Sequence, residues 1–469
     1  MSPSGYGACV RTANGDEHKQ RIGWWLHGRR RSRHTRRRLS YFRAYDRGRS
    51  LVAIAVAAVG FVLSWYLIHH GWYGLDKQWD TVEYARYGHY IVIRGLVPYR
   101  DFALEYPPLA IPIFAIPALI AGQHFSGYME IFGLGMAVCG VLAAGCSVLV
   151  LAAQRVDRRR LIAGVALVAL SPLLLGAVLL SRYDLFPAML TTAALAAIFF
   201  GWERTGFVLL ALGTAAKAYP AVILPIAAVY VWRNHGARQA IACLAIFVAV
   251  VLAFFLPFLV IAPHGIWWAI HGQETRPPQI ESLGAAVFLA AHQLIGTHVS
   301  LYFTHSSDNI DGHPAMELAS VMSVLQLAAL LAVWLLFARG PATKQRLLTA
   351  ATAAVCAFIV FDRVLSPQYL IWLAPLVAML PGRRGVAAMV MLACAMCMTQ
   401  IWYPLHFVQL KHLQPVESWA VIGRDLVLLA MFGTLAWPDV PIWRKVPTPV
   451  EGSSAAGQLA GAVSVRETV

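Results

Sequence analysis

From residue 51 to residue 437, long apolar runs alternate with short charged stretches. An α-helix needs about 20 predominantly apolar residues to cross a bilayer. The pattern predicts spans at 51–69, 128–153, 161–180, 185–202, 206–216, 219–232, 240–262, 315–337, 347–361, 369–380, 386–402 and 419–437. Three of these are too short to cross alone. Residues 206–216 reach about 16 Å at a rise of 1.5 Å per residue, against a hydrocarbon core of about 30 Å. Broken helices are tolerated at membrane depth where they line protein or a water-filled cavity. The break at Lys217-Ala-Tyr-Pro220 therefore places Lys217 in a cavity, out of contact with lipid.

Alternation puts the basic loops 155–160, 233–238 and 339–346 on the same side, together with Arg383, Arg384, Arg444 and Lys445. Positive loops face the cytoplasm, so both termini are expected there. The apolar stretch 109–122 tests this order, because a span there would invert every charge that follows. It is short and carries Pro112 and Pro117, with Pro107 and Pro108 just before it. It is expected to lie in, or dip into, the outer leaflet. Two large external loops remain, 70–125 and 263–314.

Composition sharpens the class. Of 469 residues, 59% are hydrophobic and 13% charged, and the mean hydropathy is +0.61. The expected fold is all-α: a polytopic transmembrane bundle of about a dozen spans, with short broken helices and external amphipathic or re-entrant helices. Residues 1–50 form a basic cytoplasmic segment, 51–437 the membrane domain, and 438–469 a cytoplasmic tail. Within the tail, the Gly, Ala and Ser content of 451–469 predicts disorder. The first apolar run follows a long basic stretch with no small-residue cleavage site, so it is expected to stay as a signal anchor.

The formal net charge of +15 invites a nucleic-acid reading. Much of it sits in Arg29-Arg-Arg-Ser-Arg-His-Thr-Arg-Arg-Arg38, just before the first span, with no folded nucleic-acid module beside it. Such a run sets orientation and meets anionic lipid, so no nucleic-acid partner is expected. Of seven cysteines, Cys9 is on the cytoplasmic side and six lie inside apolar runs, so no disulfide framework follows. Cys394-Ala-Met-Cys397 lies mid-helix without further ligands, and packing explains it better than redox or metal chemistry.

The chemistry concentrates on one side. Asp76, Asp80 and Glu83 have helical spacing, with Tyr84 and Tyr87 nearby; Glu105 and Tyr106 follow. An ordinary solvated face explains the acids alone; a general base at the membrane surface is the sharper alternative. Three cations reach the same side: Arg182 beside Asp184 in a minimal turn, Lys217 at its helix break, and Arg363 beside Asp362, followed by Ser366-Pro-Gln-Tyr369. Local ion pairs, Arg182 with Asp184 and Asp362 with Arg363, are the structural alternative. Lys217 has no acid near it in sequence. Cations beside a carboxylate suit a phosphate leaving group next to a base. When a sugar is carried on a lipid phosphate, the phosphate leaves as an already stable anion, so one carboxylate suffices where glycoside hydrolysis needs two.

Asp80-x-x-x-Tyr84, Gly95-x-x-Pro-Tyr99 and Tyr106-Pro-Pro108 resemble the first external loop of polyprenol-phosphate-sugar-dependent glycosyltransferases of the GT-C fold. The nearest group is the actinobacterial alpha-1,2-mannosyltransferase family (glycosyltransferase family 87). Lys217-Ala-Tyr-Pro220 and Leu365-Ser-Pro-Gln-Tyr369 resemble further motifs of that group, and the likeness runs from about 51 to 437. Glu83 and the turn Arg182-Tyr-Asp-Leu-Phe-Pro187 depart from its pattern. The resemblance implies that Asp80 is the catalytic base, with Arg182, Lys217 and Arg363 proposed for the donor phosphate. Tyr84, Glu105, Tyr106, Gln368 and Tyr369 are proposed to shape the substrate loop.

The expected activity is inverting transfer of a sugar, mannose first and another hexose or a pentose otherwise. It passes from polyprenyl phosphate to a hydroxyl of a lipid-linked or envelope glycan on the outer face of the plasma membrane. No cofactor is expected: some GT-C enzymes use a divalent cation, but His264, His271, His292, His298, His305 and His313 show no compact ligand spacing. Trp267, Trp268 and Trp402 are expected to anchor the interface. The rivals are a lipid or sugar flippase, which calls for repeats and midplane charges on both halves, and a non-catalytic scaffold. No internal repeat is visible.

Overall fold

The computed structural model describes residues 47–72 and 79–437. The basic run 29–38, Cys9, Asp76, Arg444, Lys445 and the tail 451–469 lie outside the described residues. The chain is mostly helical. Among the described residues, five helices are long and apolar enough to cross a membrane: Gly48–His69, Phe125–Ala153, Ala237–Ile261, His313–Arg339 and Pro415–Ala436.

The first part runs α1 (Arg47–His69), α2 (Trp79–Val92), α3 (Ile111–Ala121), α4 (Phe125–Ala153), α5 (Arg158–Leu175), the single turn α6 (Val178–Ser181), α7 (Leu185–Phe199) and α8 (Glu203–Ala216). Asp157 starts α5 by accepting the Arg160 backbone N–H at 2.8 Å, filling one of the orphan donors of a helix N-terminus. Residues 161–180, expected as one span, are interrupted at Gly176 (φ +63°), where α5 ends and α6 begins. The short α3 packs along α2. Gly88 makes this possible: a Cβ there would meet the Phe114 carbonyl and sit 2.8 Å from Ala118 Cβ. The opposite face of α3 leaves Ile116, Leu119 and Ile120 exposed.

The second part runs α9 (Leu224–His235), α10 (Ala237–Ile261), α11 (Pro263–Glu274), α12 (Leu283–Ile295), α13 (His313–Arg339), α14 (Lys344–Val360), α15 (Leu370–Ala378), α16 (Gly382–Thr399), α17 (Phe407–Lys411) and α18 (Pro415–Ala436). The break between α8 and α9 falls at the expected tetrapeptide: Lys217 is extended, and a 3₁₀ turn, Tyr219–Ile223, follows. Pro220 fits the start of that turn because its missing N–H would have no partner there.

Core and periphery separate by composition. Every residue of α15 is buried, and α7 and α14 are buried over most of their length. A helix apolar on all sides belongs inside. Helix α10 is equally apolar but buries only Ala240, Cys243 and Phe247. Its exposed Ile241, Val248, Leu252, Leu256 and Val260 form an apolar surface of the kind lipid covers.

Three expectations change here. The 263–314 loop is structured, holding α11, α12 and an antiparallel hairpin of β1 (Leu301–Thr304) and β2 (Ser307–Ile310), so the fold is not purely α. His305 and Ser306 take positive φ in the two-residue turn, the handedness that suits a tight hairpin. Trp402 is fully buried, so it is no interface anchor, whereas Trp267 and Trp268 are exposed. Cys394 and Cys397 are exposed on α16, so they are not core packing residues.

Candidate functional site

Asp80 sits in the first turn of α2. Its carboxylate Oδ1 accepts a hydrogen bond from Arg182 Nη1 at 2.5 Å, across a sequence separation of 102 residues. Arg182 occupies the extended residue after α6, and its Nη2 reaches the Tyr403 hydroxyl at 3.4 Å. Two residues on, Asp184 accepts from Lys217 Nζ at 2.6 Å and from Trp372 Nε1 at 2.7 Å, both at Oδ1. The neighbouring-residue pairing of Arg182 with Asp184 is thereby overturned. The turn directs the two side chains to different partners, and the acid missing near Lys217 in sequence is Asp184.

The two pairs share one electrostatic neighbourhood. Burial pushes the Asp80 carboxyl above its ordinary value, Arg182 opposes this, Asp184 raises it further, and Lys217 lowers it. Exposure differs between the pairs: the side chains of Asp80 and Arg182 are 26% and 16% accessible, while those of Asp184 and Lys217 are 1% and 18%. Asp184 Oδ2 and Arg182 Nε have no hydrogen-bond partner among the described residues.

Aromatic rings build the floor. Lys217 Nζ lies 4.9 Å from the Tyr183 ring centre, 5.0 Å from Trp372 and 5.5 Å from Tyr369, distances at which a ring face attracts a cation. Trp372 is sandwiched between Tyr219 and Tyr369, each with ring centres 4.1 Å away. Tyr84, expected near Asp80 as a loop-shaping residue, is buried in an aromatic cluster. It stacks on Phe114 at 4.6 Å and meets Tyr106 and Tyr183 edge-on. Tyr106 accepts a hydrogen bond at its carbonyl from the Tyr99 hydroxyl. Tyr99 itself has positive φ (66°), and the first turn of α11 presses on it: a Cβ at Gly265 would collide with the Tyr99 carbonyl. The 70–125 loop is thus clamped by the 263–314 loop.

Other expected residues lie apart from the two pairs. Glu83 is bound to Arg86 on the exposed side of α2, so it does not join Asp80. Glu105 is half-buried, close enough for its charge to act on Tyr87 and Tyr106. Arg363 donates to Ser323 Oγ at 3.0 Å and to the Arg276 carbonyl at 3.2 Å, and its own carbonyl accepts from Gln279 N. These bonds hold strand-like residues 278–281 in place, so Arg363 neither pairs with Asp362 nor sits with Arg182 and Lys217. Gln368 is buried, and its Oε1 has no hydrogen-bond partner among the described residues. Tyr369 connects the two areas: the charges of Asp362, Arg276, Asp184 and Arg182 all act on its hydroxyl.

A second buried network adjoins the first. Glu281 accepts from Trp402 Nε1 at 2.7 Å and from Gln279 Nε2 at 2.9 Å. Arg424 donates to the Glu281 carbonyl at 2.6 Å, pairs with Asp425 and stacks on Trp402. Burial pushes Glu281 up to about 7, with Arg424 the strongest opposing influence and Arg182 within electrostatic reach. Arg424 and Asp425 carried a readable signal, since charged residues inside an apolar helix are rare. Trp372 and Trp402 carried none; in sequence each is one more tryptophan. Among the described residues no three His, Cys, Asp or Glu side chains gather as a metal-holding group.

No protein-family model matches the chain, and no curated protein matches it.

Proposed function

We propose that the protein is a GT-C-like membrane glycosyltransferase that moves a sugar, mannose first among candidates, from polyprenyl phosphate to a hydroxyl of a lipid-linked or envelope glycan. In this reading the short helices complete a bundle of about a dozen crossings. The Asp80 end faces outward, and the basic loops face the cytoplasm. The observation that carries it is the Asp80–Arg182 pair beside Asp184–Lys217: a partly accessible carboxylate with two cations in its field, lined by aromatic rings.

The chemistry is one displacement. The acceptor oxygen attacks the anomeric carbon while the carbon–oxygen bond to phosphate breaks, and the bonding pair leaves with the phosphate. Asp80 takes the acceptor proton, and the anomeric centre inverts. In this reading Arg182 and Lys217 supply positive charge to the phosphate as it leaves, and donors in position before the reaction lower the barrier. Burial makes Asp80 a stronger base than an exposed aspartate. Arg363 is left out of the phosphate site, because its hydrogen bonds are committed to Ser323 and Arg276.

The test is transfer of labelled sugar from a panel of polyprenyl-phosphate donors in membranes carrying the wild-type chain or Asp80→Asn. Transfer from one donor, lost in the variant, supports the reading and names the sugar. Undiminished turnover in a folded variant removes Asp80 as base, and no transfer from any donor with acceptor lipid present overturns the activity.

A further inference from the structure

The two cations beside Asp80 differ in how tightly they are committed. Lys217 is enclosed. Its partner Asp184 is almost fully buried and is held a second time by the Trp372 indole, and three rings surround the ammonium. Pulling Lys217 away would strand a buried carboxylate, a strongly unfavourable change. Arg182 is the looser of the two. Asp80, its partner, is the most accessible of the four charged groups. Its second contact, to Tyr403, is long at 3.4 Å, and its Nε has no partner among the described residues. A guanidinium binds carboxylate and phosphate oxygens with the same planar fork. Asp80 and a donor phosphate would therefore compete for one group.

We infer that Arg182 is exchanged between Asp80 and the donor phosphate, so that donor binding itself uncovers the base for the acceptor hydroxyl. This rests on the polyprenyl-phosphate reading. The exchange has two consequences. Donor binding precedes productive acceptor binding, because Arg182 otherwise holds the Asp80 carboxylate at Oδ1 and offsets its charge. Loss of the neighbouring guanidinium also strengthens Asp80 as a proton acceptor, because Arg182 is the main opponent of its burial. Lys217, by contrast, stays with Asp184 throughout and contributes a fixed positive field.

The test measures binding, with turnover kept as a separate readout. Decaprenyl phosphate is titrated into the detergent-solubilised full chain for the wild type, Asp80→Asn, Arg182→Gln and the double variant. Asp80→Ser is a second variant in case the asparagine protein unfolds. The expected result is about tenfold tighter binding on removing the Asp80 charge, equivalent to about 1.4 kcal/mol. Binding is weaker in Arg182→Gln, and no gain from Asp80→Asn appears in the Arg182→Gln background. Decaprenol, which lacks the phosphate, shows none of these differences. Unchanged or weaker binding in Asp80→Asn and Asp80→Ser, or an equal gain without Arg182, overturns the exchange. If the wild type still transfers sugar, the glycosyltransferase reading survives that result. If none of the proteins binds decaprenyl phosphate and the wild type transfers no sugar, both fall together.

Discussion

Helix α5 connects two arginine sites with opposite designs. Arg160, in its first turn, is buried and donates to backbone: the carbonyls of Val377, Ala378 and Leu380 at the end of α15, with Met389 Sδ at 3.2 Å. Gln154 adds a bond to the Met379 carbonyl at 2.8 Å. The Ala378 and Leu380 carbonyls lie where α15 stops and its hydrogen-bond ladder ends, so Arg160 acts as a staple for a helix end. Arg182, past the far end of α5, donates to a carboxylate instead. Carbonyl partners cannot change charge, so the Arg160 site can only hold structure. A carboxylate partner can take a proton or yield its cation to another anion, so the Arg182 site can do chemistry. The residue type is the same at both ends; the partner decides the role.

That contrast is broken most directly at Asp80. Asp80→Asn should lower sugar transfer by a factor of about 10² to 10⁴, the usual contribution of a positioned base, with little change in thermal unfolding in detergent. The pH profile adds a sign. Wild-type transfer should fall on acidification with a limb above the ordinary value of 3.8, because burial raises Asp80. Arg182→Gln should move that limb higher still, because the main opposing charge is gone. A limb that stays put in the variant would separate Arg182 from the base.

Arg160→Met should do the opposite: it keeps the apolar stem but leaves buried carbonyls unpaired. At about 1–3 kcal/mol per stranded group, a loss of about 3 kcal/mol in stability is expected, seen as a lower unfolding midpoint. The turnover of the folded fraction stays near wild type. Trp372→Phe should fall between the two designs. It preserves stacking on Tyr219 and Tyr369 but removes the N–H that Asp184 accepts. About 2 kcal/mol of stability should go, and decaprenyl phosphate should bind more weakly as Lys217 loses its anchorage.

The smallest expected effect is at Glu281. Its ordinary value is 4.5, and burial in the folded chain raises it to about 7 against Arg424, Trp402 and Arg182. The folded protein therefore holds a proton there that the unfolded chain releases. The stability this provides is complete below about 4.5 and is lost as pH rises through about 7. Glu281→Gln should flatten that part of a stability–pH curve measured in detergent. An unchanged slope would mean that Glu281 is ionised in the folded state throughout.

Much of the framework was legible because the bilayer leaves few options. Twelve apolar stretches appear as helices or helix pairs, and the break at Lys217-Ala-Tyr-Pro220 falls where a short helix and a proline required it. Asp80, Arg182 and Lys217 were singled out, and they do come together. Arg363 also looked like a phosphate ligand from its place after a helix, yet it is spent on Ser323 and a loop carbonyl. Glu83 shares helical spacing with Asp80 but found a partner one turn on, at Arg86. The 263–314 loop gave no periodic signal strong enough to show two helices and a hairpin, because its apolar runs are short and its turn uses His305 and Ser306 in place of glycine.

By itself the sequence determined the apolar helices and their breaks, because solvation of backbone and side chains depends on local composition. Tertiary structure alone decided the pairing. Arg182 turned from Asp184 to Asp80, Lys217 found Asp184 across 33 residues, and Trp372 and Trp402 became hydrogen-bond donors to buried carboxylates. Coulomb energy in a low-dielectric interior depends on distance in space, and that distance is set only when α2, the turn before α7, the end of α8 and α15 have packed together.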